Sequence, residues 1–259
     1  MQFLITGASG FIGRHVAASA AALGHELIIY KRGEKIKASG CTKAIHLAWG
    51  NVQNYMDEGN FAENLQTQKD IINQIIDSGI TDITITGTCL EYGLTSGACA
   101  EDMAASSLPT TYARAKLELY NNFKHLPHLK WLRCFYVYGV GGRSKSLLMH
   151  LLKAIEDGER EFNMSMGDQI RDFINVETLA HNILAIAAQN QVNGIINVGS
   201  GKPTTVLEFI ESILAIKGYK MQLNKGFYPY TNYEPMQFWA DINKLKSISG
   251  TKFDDKIWI

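Results

Sequence analysis

Long apolar runs are missing from this 259-residue sequence: no stretch of about 18 or more apolar residues could cross a bilayer as a helix. A signal peptide is not expected either, because Met1 leads straight into the strand-like QFLIT. An excess of charge of one sign is missing too. Lys plus Arg and Asp plus Glu number 25 each, so neither nucleic acid nor an anionic membrane is expected as a partner. Cysteine is scarce, and Cys41, Cys89, Cys99 and Cys134 form no Cys-x-x-Cys pair and no cluster with histidine. Reduced, packing thiols and no metal are expected. No internal repeat or low-complexity tail is found. What these absences leave is a chain expected to be soluble and cytoplasmic. With 46% apolar and 19% charged residues it can bury one domain, or one domain plus a lobe.

What is present is an alternation of short β-branched runs with helical periodicities, the pattern of an α/β fold whose parallel sheet is covered on both faces. Strands are predicted at 2–6, 26–30, 43–48, 80–86, 129–135 and 194–199. Helices are predicted at 11–23, stopped by Gly24, and at 60–78, stopped by Gly79. From Gly139 the pattern changes, with more Gly and Met and fewer strands. The late tract GFYPYTNYEP cannot be a regular element.

TGASGFIG carries the first chemical signal. Gly7, Gly10 and Gly13 follow a strand and open a helix, so backbone amides and the positive helix end face an anion. Between the first strand and first helix of a βαβ unit, this spacing points to a dinucleotide. The end of the second strand reads Tyr30-Lys31-Arg32, without the carboxylate that usually holds an NAD ribose. Lys31 and Arg32 could meet a 2′-phosphate, which favours NADP with NAD as the alternative; a solvated basic turn is the other explanation. Only Lys31 to Lys43 joins the second strand to AIHLA, too little chain for helix, strand and helix. The usual third strand is therefore expected to be lost or vestigial.

TYARAK places Tyr112 and Lys116 at i and i+4, on one helix face. A cation beside a phenol favours the phenolate and makes the hydroxyl a usable proton donor and acceptor. A second pair, Tyr120 and Lys124, has the same spacing, but position separates them. Tyr112 stands in the first turn of a helix downstream of the strand that delivers GTCLEYG to the sheet's carboxyl edge. Tyr120 is rotated away and reads as a packed or half-exposed aromatic.

Taken in order, the Gly-x-x-Gly-x-x-Gly turn, HLA, a hydroxyl four residues before Tyr-Gly, Tyr-x-x-x-Lys, LRCFYVYG and RDFINVETLA resemble the extended short-chain dehydrogenase/reductase family of nucleotide-sugar epimerases, dehydratases and reductases. The resemblance covers nearly the whole chain. It implies a Rossmann-type doubly wound sheet (1–139 and 172–199) with a small C-terminal lobe for a nucleotide-sugar (140–171 and 200–259), a homodimer, and Thr88, Tyr112 and Lys116 as catalytic trio. It adds Ser9, Phe11, Ile12, Leu47 and Ala48, with Tyr112 and Lys116 themselves, to the cofactor contacts. Thr88, Glu91, Tyr136, Arg143, Phe162 and Arg171 become candidates for substrate. Arg171 matches the family arginine that grips a diphosphate, a task suited to a bidentate guanidinium.

Departures narrow the reading. Members that dehydrate sugars carry Asp-Glu after the Thr, where this chain has Cys89-Leu90, so dehydration is not expected. Tyr136 replaces an Asn found in many epimerases, and Thr231 stands where a second diphosphate Arg is common. The reading that results is an NADPH-dependent reductase of a nucleotide-linked keto-sugar, a 4-keto-6-deoxyhexose, in surface-polysaccharide sugar biosynthesis. The alternatives are a nucleotide-sugar epimerase with tightly bound NAD, and a non-catalytic NADP-binding regulatory protein.

Overall fold

A computed structural model describes residues 1–37, 40–50, 56–142, 144, 146–254 and 256–259. In chain order its elements are β1 (Gln2–Thr6), α1 (Phe11–Ala22), β2 (Glu26–Ile29), β3 (Lys43–His46), α2 (Glu58–Asp77), β4 (Asp82–Thr88), β5 (Gly97–Cys99), α3 (Thr111–Phe123), β6 (His128–Cys134) and β7 (Tyr136–Tyr138). There follow α4 (Leu147–Glu156), β8 (Glu161–Asn163), β9 (Ile170–Asn175), α5 (Val176–Ala188), β10 (Gly194–Val198), β11 (Pro203–Thr205), α6 (Val206–Lys217), β12 (Gln222–Asn224), β13 (Phe238–Ala240) and α7 (Asn243–Lys246).

Six strands form one parallel sheet in the order β10-β6-β4-β3-β1-β2. Its inner strands are buried almost throughout because helices cover both faces. On one face Val16 and Ala20 of α1 and Leu179 and Ile183 of α5 pack with Phe3, Ile5, Ile45 and Leu132. On the other, Ile72 and Ile75 of α2 and Leu119 and Phe123 of α3 pack with Leu4, Ala44, Ile83 and Trp131. Among the described residues β2 is the sheet's edge, and the connection from Lys31 runs to β3 on the far side of β1 without a strand or helix. The shortening expected from chain length is what the topology shows. Direction reverses at β1, between β2 and β3, which opens the crevice where doubly wound sheets bind ligands.

Local chemistry accounts for the element ends. α1 stops at Gly24, whose φ of 68° suits glycine. Thr110 caps α3 by accepting from Ala113 N, and Asn175 caps α5 by accepting from Glu177 N. Thr205 and Glu208 close a capping box at α6.

Seven short strands fall outside the sequence expectation. β9 pairs with β7 and β11, β12 with β8, and β13 with β5. A boundary at 172 thus cuts through β9. A separate apolar core, with Leu148, Leu151, Phe162, Met164, Phe209 and Ile213, builds the second half's lobe. No helix among the described residues is long and apolar enough to cross a membrane.

Candidate active site

The β1–α1 turn is shaped by two close approaches. A Cβ on Gly7, at φ 74°, would lie 2.6 Å from Ala48 N, and one on Gly13 would lie 2.1 Å from Gly7 O. Neither neighbour can yield, because both are backbone. Gly10 caps α1 without a side-chain hydrogen bond, and no acidic residue sits in the first turn, so the amides there are left for an anionic ligand. Such a cradle fits the pyrophosphate of a dinucleotide. Ser9 and Gly10 are exposed there, while Ile12 packs into the core and Phe11 faces the turn at Gly139 and Gly142.

Across the switch point, β1 and β3 are tied together by Thr6 Oγ1 and His46 Nδ1, 2.8 Å apart. Burial, then the charge of Lys116, pushes the His46 pKa down to about 3, so the ring stays neutral. This pins the turn carrying Leu47 and Ala48, both half-buried, beside the glycine cradle. Lys31 and Arg32 lie exposed in a turn just past β2, and neither forms an ion pair among the described residues.

Tyr112 stands in the first turn of α3, and Lys116 lies one turn on, its Nζ 6.0 Å from the Tyr112 ring centroid. Lys116 is 2% exposed and donates to Thr86 O at 2.8 Å, which clamps α3 to β4. Burial pushes its pKa down to about 8, against the opposing pull of Glu91 and Cys134. Thr88 ends β4 at the same edge of the sheet, where its Oγ1 accepts from Leu90 N at 3.3 Å. Tyr120 packs on Trp131, 5.4 Å between centroids, and takes no part in this group. A polar turn, a neutral histidine and a Tyr-Lys pair thus converge on one carboxyl edge. The family model for the NAD dependent epimerase/dehydratase family matches residues 3–199.

The chain belongs to that family. It is therefore an enzyme of the NAD(P)-dependent oxidoreductase type, an extended short-chain dehydrogenase/reductase. It is 22% identical to dTDP-6-deoxy-L-talose 4-dehydrogenase (NAD(+)) of Aggregatibacter actinomycetemcomitans, over 93% of this chain and 99% of that protein. It is 26% identical to UDP-glucuronate 4-epimerase of Thermodesulfobacterium geofontis, over 71% of this chain and 58% of that protein. Among solved structures, UDP-glucuronic acid 4-epimerase from Bacillus cereus, in complex with UDP-glucuronic acid and NAD, superposes with a TM-score of 0.81. The match is at 20% identity and covers 99% of this chain and 95% of that one, a likeness of fold.

Within this epimerase/dehydratase site two expectations for substrate change. Glu91 was placed toward substrate, but it is 0% exposed and turned inward. Its Oε1 accepts from Thr88 N at 2.8 Å, and its Oε2 accepts from Trp131 Nε1 at 2.8 Å and Arg133 Nε at 3.1 Å. Cys89–Tyr92 is a 3-10 turn, so its side chains do not alternate between faces, and Trp131 and Arg133 supply the donors that meet the carboxylate inside. Gly87 makes the turn possible, since a Cβ there would lie 2.5 Å from Glu91 Oε1. Phe162, also a candidate for substrate, is buried with Met164 in the lobe's core. Arg143 lies outside the described residues.

Tyr136 and Arg171 do come together, with the Arg171 guanidinium 5.3 Å from the Tyr136 ring centroid. Arg171 is 2% exposed and already engaged, donating to Glu234 Oε2 at 3.0 Å and to the carbonyls of Ile170 and Met236. Asp172 is not its partner, being held by Ser200, Gly201 and Ala240 amides. The buried Tyr136 phenol sits among Glu234, Arg171 and Cys89, and burial raises its pKa well above the ordinary value. Glu234 escaped sequence reasoning, as did Trp49, whose only signal was its place after HLA. The four cysteines are free and buried, and no group of three His, Cys, Asp or Glu side chains among the described residues could hold a metal ion.

Proposed function

We propose that the protein reduces a nucleotide-linked 4-keto-6-deoxyhexose, with NADPH as reductant. What supports this reading most is the Tyr112–Lys116 pair anchored at Thr86 beside Thr88, on a chain whose full-length relative is named for oxidising a nucleotide-linked 6-deoxy sugar at position 4. Oxidation of that hydroxyl and reduction of the ketone are one hydride transfer run in opposite directions. Gly7, Gly10 and Gly13 would hold the nicotinamide dinucleotide, which would supply the hydride. Tyr112 donates its hydroxyl proton to the oxygen as it becomes an alkoxide, Thr88 holds that oxygen by a hydrogen bond, and the Lys116 ammonium eases the phenol's loss of the proton.

Two features of the chain favour NADPH and free exchange of the cofactor. Lys31 and Arg32 are exposed where a ribose-binding carboxylate usually stands, and the bare connection after them leaves the adenosine end of the crevice thinly covered. A charge-assisted contact to a 2′-phosphate is worth about 1.5–3 kcal/mol, so NADPH binds roughly ten- to a hundredfold tighter than NADH, and Arg32→Ala removes most of the difference. The decisive assay supplies NADPH and a nucleotide-linked 4-keto-6-deoxy sugar and measures stoichiometric oxidation. The second reading, a 4-epimerase, is favoured by the 26% identity to the Thermodesulfobacterium geofontis UDP-glucuronate 4-epimerase. It requires dinucleotide retained through gel filtration and isomerisation of a nucleotide hexose with no net change at the nicotinamide band.

A further inference from the structure

Trp49 touches both members of the Tyr-Lys pair and has no role in the proposed reaction. Its ring centroid lies 4.0 Å from Lys116 Nζ, 5.8 Å from the Tyr112 ring and 6.3 Å from that of Phe61. The indole Nε1 is buried without a hydrogen-bond partner among the described residues. The backbone beside it is clasped from α2, since Gly50 N donates to Asn64 Oδ1 at 3.0 Å and Asn64 Nδ2 donates to Gly50 O at 3.1 Å. A Cβ on Gly50 would lie 2.5 Å from Asn64 Oδ1, so the clasp needs glycine. The indole is therefore a seated wall, with a fixed backbone on one side and the buried Phe61 beneath.

Lys116 shows what the wall does. One ammonium proton goes to Thr86 O, and the indole face covers the side that water would otherwise occupy. The charged or titratable groups around it are Glu91 after β4, Cys134 on β6, His46 on β3 and Tyr112 on its own helix. A ring face attracts an ammonium, but more weakly than the hydration it replaces.

We propose that Trp49 is a positioning residue: it holds the Lys116 ammonium against the Thr86 carbonyl, keeps water off it, and so sets the pH range in which the Tyr112–Lys116 pair moves a proton. The inference rests on reading Tyr112 as the proton donor and Lys116 as its partner. Its test does not need the substrate.

Lysine 13Cε resonances of the ligand-free full chain are followed against pH, with Lys116 assigned by Lys116→Arg. Lys116 titrates near pH 8, well below the ordinary lysine range. Trp49→Ala admits water and raises its midpoint by about one unit or more, Trp49→Phe leaves it close to wild type, and Trp49→Leu, which excludes water without a ring face, lowers it. Should Trp49→Ala be poorly folded, the opposite movement of the bulk-preserving Leu variant still decides. An unmoved or lowered midpoint in a folded Trp49→Ala, or one raised in Trp49→Leu, overturns the proposal. With activity in hand, the pH profile of kcat moves with the lysine; a moved lysine with a fixed profile also overturns it. If Tyr112→Phe keeps full turnover, the catalytic reading fails while the lysine titration still reports on Trp49.

Discussion

Replacing Glu91 with Ala separates an inward structural carboxylate from one that touches substrate. The wild-type side chain accepts three hydrogen bonds, from Thr88 N, Trp131 Nε1 and Arg133 Nε. Its ion pair with Arg133 is sealed, the two side chains being 0% and 3% exposed. Removing the carboxylate leaves the Arg133 charge buried against the Tyr92 ring, 4.2 Å from the centroid, without its counter-ion. Breaking a buried pair in this way costs about 3–5 kcal/mol. For a chain of this size each kcal/mol lowers Tm by about 2–4 °C, which gives a fall of roughly 6–20 °C. Glu91→Gln keeps the shape but turns an amide N–H toward a donor, and it loses about 1–3 kcal/mol for the group left unmatched. Urea unfolding with an unchanged m-value measures both losses. Turnover falls as well, because the Thr88 amide loses its anchor at the end of β4. A Glu91→Ala protein as stable as wild type but with a raised KM would refute the inward assignment and return Glu91 to the substrate.

Tyr112→Phe removes only the donating hydroxyl, so turnover falls about a hundredfold or more with cofactor affinity nearly unchanged, whereas Tyr120→Phe, against Trp131, changes little. Steady-state rates and cofactor titrations of both variants check this, and equal behaviour would mean the wrong pair was chosen. His46 carries a pH signature. Its folded pKa, about 3, lies below the ordinary 6.5, so unfolding takes up a proton in the acid range. Stability is full above pH 6.5 and declines by about 1.4 kcal/mol per pH unit as pH falls toward 3. Urea midpoints of wild type and His46→Asn between pH 7 and 5 check this; the variant's profile is flatter by that slope, and parallel profiles would refute it.

The parts of this molecule that could be read along the chain are those whose cause lies within a few residues. The six strands of the large sheet announce themselves as short apolar runs, most of them with β-branched residues, because both faces are covered, and α1 and α2 end before glycines at φ 68° and 91°. The glycine cradle, the Tyr112–Lys116 spacing and the Asn175 cap are local in the same sense, as is the short connection after β2. The small strands of the lobe were not legible. Most are three residues long, too short for an alternation, and they exist because partners far along the chain complete their hydrogen bonds.

Side-chain direction belongs to a different level. Glu91 turns inward because Trp131 and Arg133, 40 and 42 residues away, offer two donors to a carboxylate that would otherwise be buried unpaired. Arg171 shows its charge in the sequence, while Glu234, 63 residues on, supplies its partner only when β9 and the chain before β13 are brought together. Phe162 is apolar in any reading, and only the packing of α4 and α6 around it makes it core. Trp49 becomes part of the Tyr-Lys pair through α2 and α3, which no spacing near residue 49 encodes. Backbone conformation answers to neighbours in sequence through sterics and local hydrogen bonds. Burial of charge is decided by whichever partners the folded chain delivers, because in a medium of low polarity an ionised group is stable only beside its match.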